Sequence, residues 1–372
     1  MEPALFLSGE GDQRRTLVVV FLRGAADGLS LVVPVRDDDY HRARTFLRIT
    51  PADAVMLDGF FGLNPLLKPL HRAYQDGQLA IVHAAGSEDE TRSHFEAQDL
   101  MEHGGIVAGG WLGRFLRYGG STSARAALAA LALGRTMPES LRGAPAATAL
   151  ESLEQFSLGS APAALTAQLQ KLYAAQTGPL ATAGHATLAA LDRIEVLRRT
   201  PYAPANGADY GSSGFGFQMQ QTARLIKARV GLEAVALDLS GWDSHFTQMA
   251  MINPLMQQLG EGLSAFAQDM GAGLTHVSVV VMTEFGRRVQ ENSSFGTDHG
   301  RGSVMFVLGG GAKGGRVVGG WPGLKPDVLE GPGDLVVTHN YRDVLAPVLR
   351  RHGADAALGM IFPDFKSAPL DL

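Results

Sequence analysis

The chain has 372 residues, of which 45% are apolar and 19% charged, and a formal net charge of -5. That is enough to bury a large core, as one big domain or a core with an inserted subdomain, and the charge balance gives no broad basic face for duplex nucleic acid or an anionic membrane. There are no cysteines, which excludes disulfides, Cys-ligated zinc, iron–sulfur clusters and thiol catalysis and leaves the redox compartment open.

Near the start, Arg14-Arg15 resembles the opening of a twin-arginine export signal. The apolar run behind it, "TLVVVFL", is too short and too β-branched for a signal core and reads as a first strand. No apolar run reaches the roughly 18–20 residues that span a bilayer. The expectation is a cytoplasmic protein as the sequence stands, or a periplasmic one if an export signal has been trimmed.

Thr16–Leu22 is a β-branched run of the kind that forms a central strand covered on both faces. "NPLLKPLHRAYQDG" (Asn64–Gly77) reads as a helix with a glycine stop. "LAIVHAAG" (Leu79–Gly86) is a second strand. In Thr91–Gly105, Ser93 with Glu96 three residues on forms a capping box that opens a helix, and "GGWLGRFLRYGG" is another short helix. Ala124 to Arg199 is rich in Ala and Leu and reads as mostly helical, with proline breaks; a Gly/Pro/Ser/Asn loop follows at Thr200–Gly216.

"FQMQQTARLIKARVG" is an amphipathic helix, "LEAVALDLSG" a strand, and after "WDSHFTQ" a long helix runs to about Met270. "THVSVVVMTEFGRR" is a strand entering a polar turn. "GTDHGRGSVMFVLGGG" sets Asp298 and His299 in glycine before a buried strand, Val304–Leu308, and "NYRDVLAPVLRRHG" is a closing helix. Strands alternating with helices predict a mostly parallel sheet with helices on both faces. Ligands of such sheets bind beyond the carboxyl ends of the strands.

Those ends carry Asp27; Ser93 flanked by Arg92 and His94; Asp243 and His245; Glu284, Arg287 and Arg288; and Asp298 with His299. Carboxylates and imidazoles together are the ligands of zinc or manganese, and a metal lowers the pKa of a nearby hydroxyl. A serine at a helix start adds N–H donors for an anion, and arginines suit phosphate or sulfate. Each residue also has a plainer reading: Asp27 as a turn cap, Ser93 as an N-cap, Arg287 and Arg288 as solvated charge, Asp298-His299 as a surface loop. His83, His94 and His103 read as structural or surface residues.

"VVVFLRGAADGLSLVVP", "RSHFEAQDLME", "GWDSH" and "TEFGRRVQENSSFGTDHGRGSVMFVLGGGAKGG" resemble the bacterial domain-of-unknown-function family 1501. The resemblance covers nearly the whole chain, least closely Ala124–Gly211. That family is grouped with the alkaline phosphatase-like superfamily of phosphatases, sulfatases and phosphoglycerate mutases. The resemblance implies an α/β three-layer fold, a mostly parallel alkaline phosphatase-like sheet in a single domain, with a helical insertion over 124–211.

It also implies one or two divalent ions, zinc or manganese, held by Asp27, Asp243, His245, Glu284, Asp298 and His299. Ser93 becomes the nucleophile, with Arg92, Arg287 or Arg288 on the anionic oxygens of a small ester substrate. Where the superfamily has an Asp-His pair this chain has Glu284-Phe285, so one imidazole ligand is replaced. Ser93 is followed by "HFEA", which disfavours a formylglycine sulfatase. The implied activity is metal-dependent hydrolysis of phosphate or sulfate esters. The alternatives are a degenerate member that binds metal or anion without turnover, and a metal-dependent phosphomutase.

Overall fold

The computed structural model describes residues 15–119, 128–155 and 162–372. Arg14 of the export-like pair lies outside them, as do 124–127 and 156–161 of the expected insertion. The first strand, β1 (Thr16–Arg23), alternates between two cores. Val18, Val20 and Leu22 enter one apolar cluster and Leu17, Val19 and Phe21 the other. Both faces are dry, which is why the run is continuously apolar rather than alternating.

After β1 come α1 (Gly28–Leu31), β2 (Val32–Val33), α2 (Asp38–Ala43), β3 (Val55–Met56) and β4 (Gly62–Leu63); β2, β4 and β3 form a small separate sheet. The helix expected over 64–77 is split into a 3-10 turn, Pro65–Leu70, and α3 (His71–Gln75). Pro69 lacks the N–H that a continuous α-helix would need there. Then follow β5 (Leu79–Gly86), α4 (His94–His103) and α5 (Trp111–Tyr118).

The Ala-rich stretch is not uniformly helical. Residues Ala130–Leu133 and Thr148–Leu150 are strands, β6 and β7, that extend the main sheet. The helical part is α6 (Pro162–Ala174) and α7 (Pro179–Arg199). The expected insertion over 124–211 is corrected to that extent: pairing with the sheet overrides the helix propensity of Ala and Leu.

The remainder is α8 (Gly214–Lys227), β8 (Ala234–Ser240), α9 (Gln248–Met270), β9 (Val277–Met282), β10 (Ser303–Gly309), β11 (Arg316–Val318), β12 (His339–Asn340), α10 (Tyr341–Arg351) and α11 (Leu358–Ile361). The main sheet runs β11-β5-β10-β9-β1-β8-β6-β7, with β12 beside β5. It is mixed and mostly parallel: β10 alone among these pairings runs antiparallel, to both β5 and β9. Helices α8 and α9 pack on one face and α5 and α10 on the other.

The reversal of β10 positions the site. Its first residue, Ser303, pairs with Ala85 near the end of β5. The loop before β10 therefore reaches the edge at which β1, β5, β8 and β9 all end. Among the described residues, no helix is long and apolar enough to cross a membrane.

Candidate metal centre

At that edge, His94, Asp243 and His299 offer ligand-type atoms that all lie within 4.8 Å of one another. His94 is the first residue of α4, Asp243 follows β8, and His299 precedes β10. His94 Nε2 is 3.5 Å from Asp243 Oδ2, and His299 Nε2 is 3.2 Å from Asp243 Oδ1. His245 joins on the far side, with Nε2 at 3.1 Å from Asp243 Oδ1 and 3.0 Å from His299 Nε2. Zinc with bonds of about 2.0–2.1 Å sets its tetrahedral ligands roughly 3.3 Å apart, so His94, Asp243 and His299 fit three ligands of a divalent ion, with His245 beside them and outside that mutually close set.

Each imidazole is oriented from behind. His94 Nδ1 donates to Glu284 Oε1 at 2.9 Å, His299 Nδ1 donates to the Arg92 carbonyl at 3.0 Å, and His245 Nδ1 faces Asp298 Oδ1 at 3.4 Å. A proton on Nδ1 facing these acceptors would leave each Nε2 lone pair for an ion, as outer-shell groups arrange in metal sites, while without an ion Asp243 Oδ1 is itself an acceptor for Nε2 of His245 and His299. The buried His94 Nε2 has no hydrogen-bond partner among the described residues, and an orphaned imidazole nitrogen of this kind fits a metal ligand. Asp298 and Glu284, expected among the ligands, face the Nδ1 atoms of His245 and His94.

Arg287 closes the floor. Its Nη2 donates to Asp243 Oδ1 at 2.8 Å, to the Gly24 carbonyl at 2.8 Å and to the Trp242 carbonyl at 3.2 Å. Nε takes the Ala25 carbonyl at 2.9 Å and Nη1 the Thr297 carbonyl at 3.2 Å. The side chain is fully buried. These contacts commit Arg287 to the protein, so it is a scaffold cation rather than the expected clamp on substrate oxygens.

The glycines around Asp298-His299 have a packing reason. A Cβ on Gly300 would lie 2.5 Å from the Arg287 carbonyl carbon, so only glycine lets the two loop strands close on each other.

Asp27 is not brought to the cluster. Arg44 Nη1 and Nη2 donate to its two oxygens at 2.5 and 3.0 Å, Ser30 Oγ at 2.6 Å and Gln248 Nε2 at 2.7 Å. The expected ligand is instead half of a buried ion pair. Arg92 is likewise spent, its guanidinium bonded to the buried Asp334. Arg288 lies 3.5 Å from Asp298 Oδ2. Ser93 is the N-cap residue of α4, half-buried, but its hydroxyl makes no capping hydrogen bond, so the capping box does not form.

The electrostatics divide the imidazoles. The Glu284 hydrogen bond raises the pKa of His94, whereas burial lowers that of His299 despite Asp243. Burial opposes ionisation of Asp243, but the hydrogen bond and charge of Arg287 foremost pull its carboxyl down to about 2. Glu284 is also lowered, against its burial, by the hydrogen bond with His94.

His94, which the sequence suggests is a structural or surface residue, stands inside the cluster. The signal was present, since it stands beside Ser93 at a strand end in "RSHFEAQ".

The profile of the family described as "Protein of unknown function (DUF1501)" matches residues 80–362. The chain belongs to that family. The matched span contains every member of the cluster and every group behind it except the first-strand turn at Gly24–Asp27. No curated protein matches the chain.

Proposed function

We propose that this family member is a metal-dependent hydrolase of phosphate or sulfate esters that works with one zinc or manganese ion. The observation that carries the reading is the approach of three imidazole Nε2 atoms to the Asp243 carboxylate at 3.1–3.5 Å, each with its Nδ1 facing an acceptor. Imidazole and carboxylate ligands favour zinc or manganese over calcium. Such an ion, when bound, supplies Lewis-acid polarisation of an ester oxygen and lowers the pKa of a nearby hydroxyl. With Asp27 and Glu284 engaged elsewhere, the geometry favours one ion over two.

The chain's own groups supply the rest. Ser93, with no capping bond, is free to act as the nucleophile next to His94. The N–H groups of His94, Phe95 and Glu96 precede the first helical hydrogen bond, from Ala97 N to the Ser93 carbonyl. They and the helix dipole face the charge that develops on the attacked ester. A serine opening a helix after a strand, in a mixed and mostly parallel sheet, also supports the alkaline phosphatase-like kinship.

A second reading is binding of metal and anion without turnover. It is favoured by the commitment of Arg287 and Arg92 to Asp243 and Asp334, which leaves neither to clamp an ester. The test is hydrolysis of aryl phosphates and aryl sulfates by wild type and Ser93→Ala with zinc or manganese added. The hydrolase reading expects turnover in wild type and its near-complete loss in the variant. Equal nonzero rates would remove Ser93 from the chemistry, and metal binding without turnover on either ester would establish the second reading.

A further inference from the structure

We propose that Asp334 is a positioning residue of the metal centre, holding Arg92 in a left-handed backbone conformation from which its carbonyl fixes the ring of His299. The inference rests on the metal reading above and concerns residues outside the ligand set.

Arg92 has φ +57°, a conformation that a residue with a Cβ disfavours. Its side chain accounts for its persistence. Nε donates to Asp334 Oδ2 at 2.8 Å, Nη2 donates to the same oxygen, and Nη1 reaches the Glu90 carbonyl at 3.2 Å. Asp334 is fully buried, and an ionised carboxylate in that setting requires a cation. All three guanidinium nitrogens of Arg92 are thus engaged.

Asp334 is itself rigid. Its N–H donates to the Glu330 carbonyl at 2.8 Å, and the Glu330 N–H donates back to the Asp334 carbonyl at 3.0 Å. Within this turn Gly331 has φ +48°, and a Cβ there would lie 2.7 Å from Arg92 Nη2. Glycine leaves the guanidinium its seat.

The output is the Arg92 carbonyl, which accepts from His299 Nδ1 at 3.0 Å and sends Nε2 toward Asp243. Ser93 and His94 follow Arg92 directly, so the same backbone turn also sets where α4 begins. A carboxylate in the turn 330–334 therefore acts on two imidazoles through one strained residue.

A merely structural ion pair and a positioning device respond oppositely to glycine. Glycine adopts positive φ without a Cβ penalty, so it should hold the carbonyl in place with no tether, although it loosens the chain. Zinc affinity of the full-length protein is measured by competition with a chromophoric chelator, beside thermal unfolding of the same samples. The Arg92→Ala/Asp334→Ala variant is expected to bind zinc about tenfold more weakly than wild type. The Arg92→Gly/Asp334→Ala variant is expected to stay within about threefold of wild type, whatever its melting temperature. Equal weakening in both, or none in the alanine variant, overturns the inference. Should the double variants not fold, Asp334→Asn decides it, since unchanged zinc affinity there overturns the proposal. Absence of zinc binding by wild type overturns the metal reading and this inference together.

Discussion

His245 Nε2 and His299 Nε2 stand 3.0 Å apart, while the Nδ1 atoms of both rings face acceptor oxygens. With each Nδ1 protonated, two lone pairs point at one another. That contact is repulsive unless a positive charge lies between them, either a second proton on one ring or a metal ion. Arg287 Nη1, 3.5 Å from His245 Nε2, eases the contact without filling the gap.

A divalent ion should therefore stabilise the fold by mass action. Zinc at a free concentration about one hundred times its dissociation constant is expected to add about 2.7 kcal/mol to the unfolding free energy. His94→Ala and His299→Ala should each lose most of that gain. Unfolding of the three proteins with and without zinc is the measurement, and an undiminished gain in His94→Ala would take His94 out of the ligand set.

The Asp27–Arg44 pair carries structure. Arg44→Met leaves a buried carboxylate uncompensated and is expected to cost about 3–5 kcal/mol. Adding Asp27→Asn to Arg44→Met should recover part of that loss. Asp27→Asn alone should keep wild-type zinc affinity in a titration, whereas abolished binding would restore Asp27 to the metal.

His83 makes the fold sensitive to acid. It is buried between Phe61 and Trp321, donates from Nε2 to the Val32 carbonyl and accepts at Nδ1 from the Ala84 N–H. Burial pushes its pKa down from 6.5 to about 4. The unfolded chain then takes the proton first, so this contribution is intact above pH 6.5 and declines as pH falls from 6.5 toward 4. At pH 5 the loss is roughly 2 kcal/mol. Urea unfolding at pH 7 and pH 5 should show that extra loss in wild type but not in His83→Gln, and equal losses in both proteins would exclude His83 as the cause.

The sequence made the sheet legible because apolar runs such as Thr16–Leu22 and Leu79–Gly86 can be little else, and their ends pointed to Asp243, His245 and His299. Strand direction was not legible. The reversal of β10, which brings His299 to the common edge, depends on pairing with β5 and β9 rather than on any local pattern.

The roles of charged residues were read least well, for one physical reason. An acid or arginine at a strand end looks like a ligand until its partner is known, and the partners are distant in sequence. Arg44 claims Asp27, Asp334 claims Arg92, and three backbone loops claim Arg287. Glu284, expected on the metal, gives its Oε1 to His94, Gln98 and the Gly24 N–H. His94 reads as a structural or surface residue because its carboxylate partner, Glu284, lies far along the chain.

The placement of Arg287 also bears on how this edge of the molecule comes apart. Its N–H groups bind carbonyls from the turn after β1, the turn after β8 and the loop before β10. Should any one of these segments peel away, a buried guanidinium donor is left unmatched, at a cost of the order of 1–3 kcal/mol. The loops therefore share one local unfolding unit, with a common opening free energy rather than three separate ones. Hydrogen exchange at this edge is then cooperative, and the cluster is either assembled whole or lost whole.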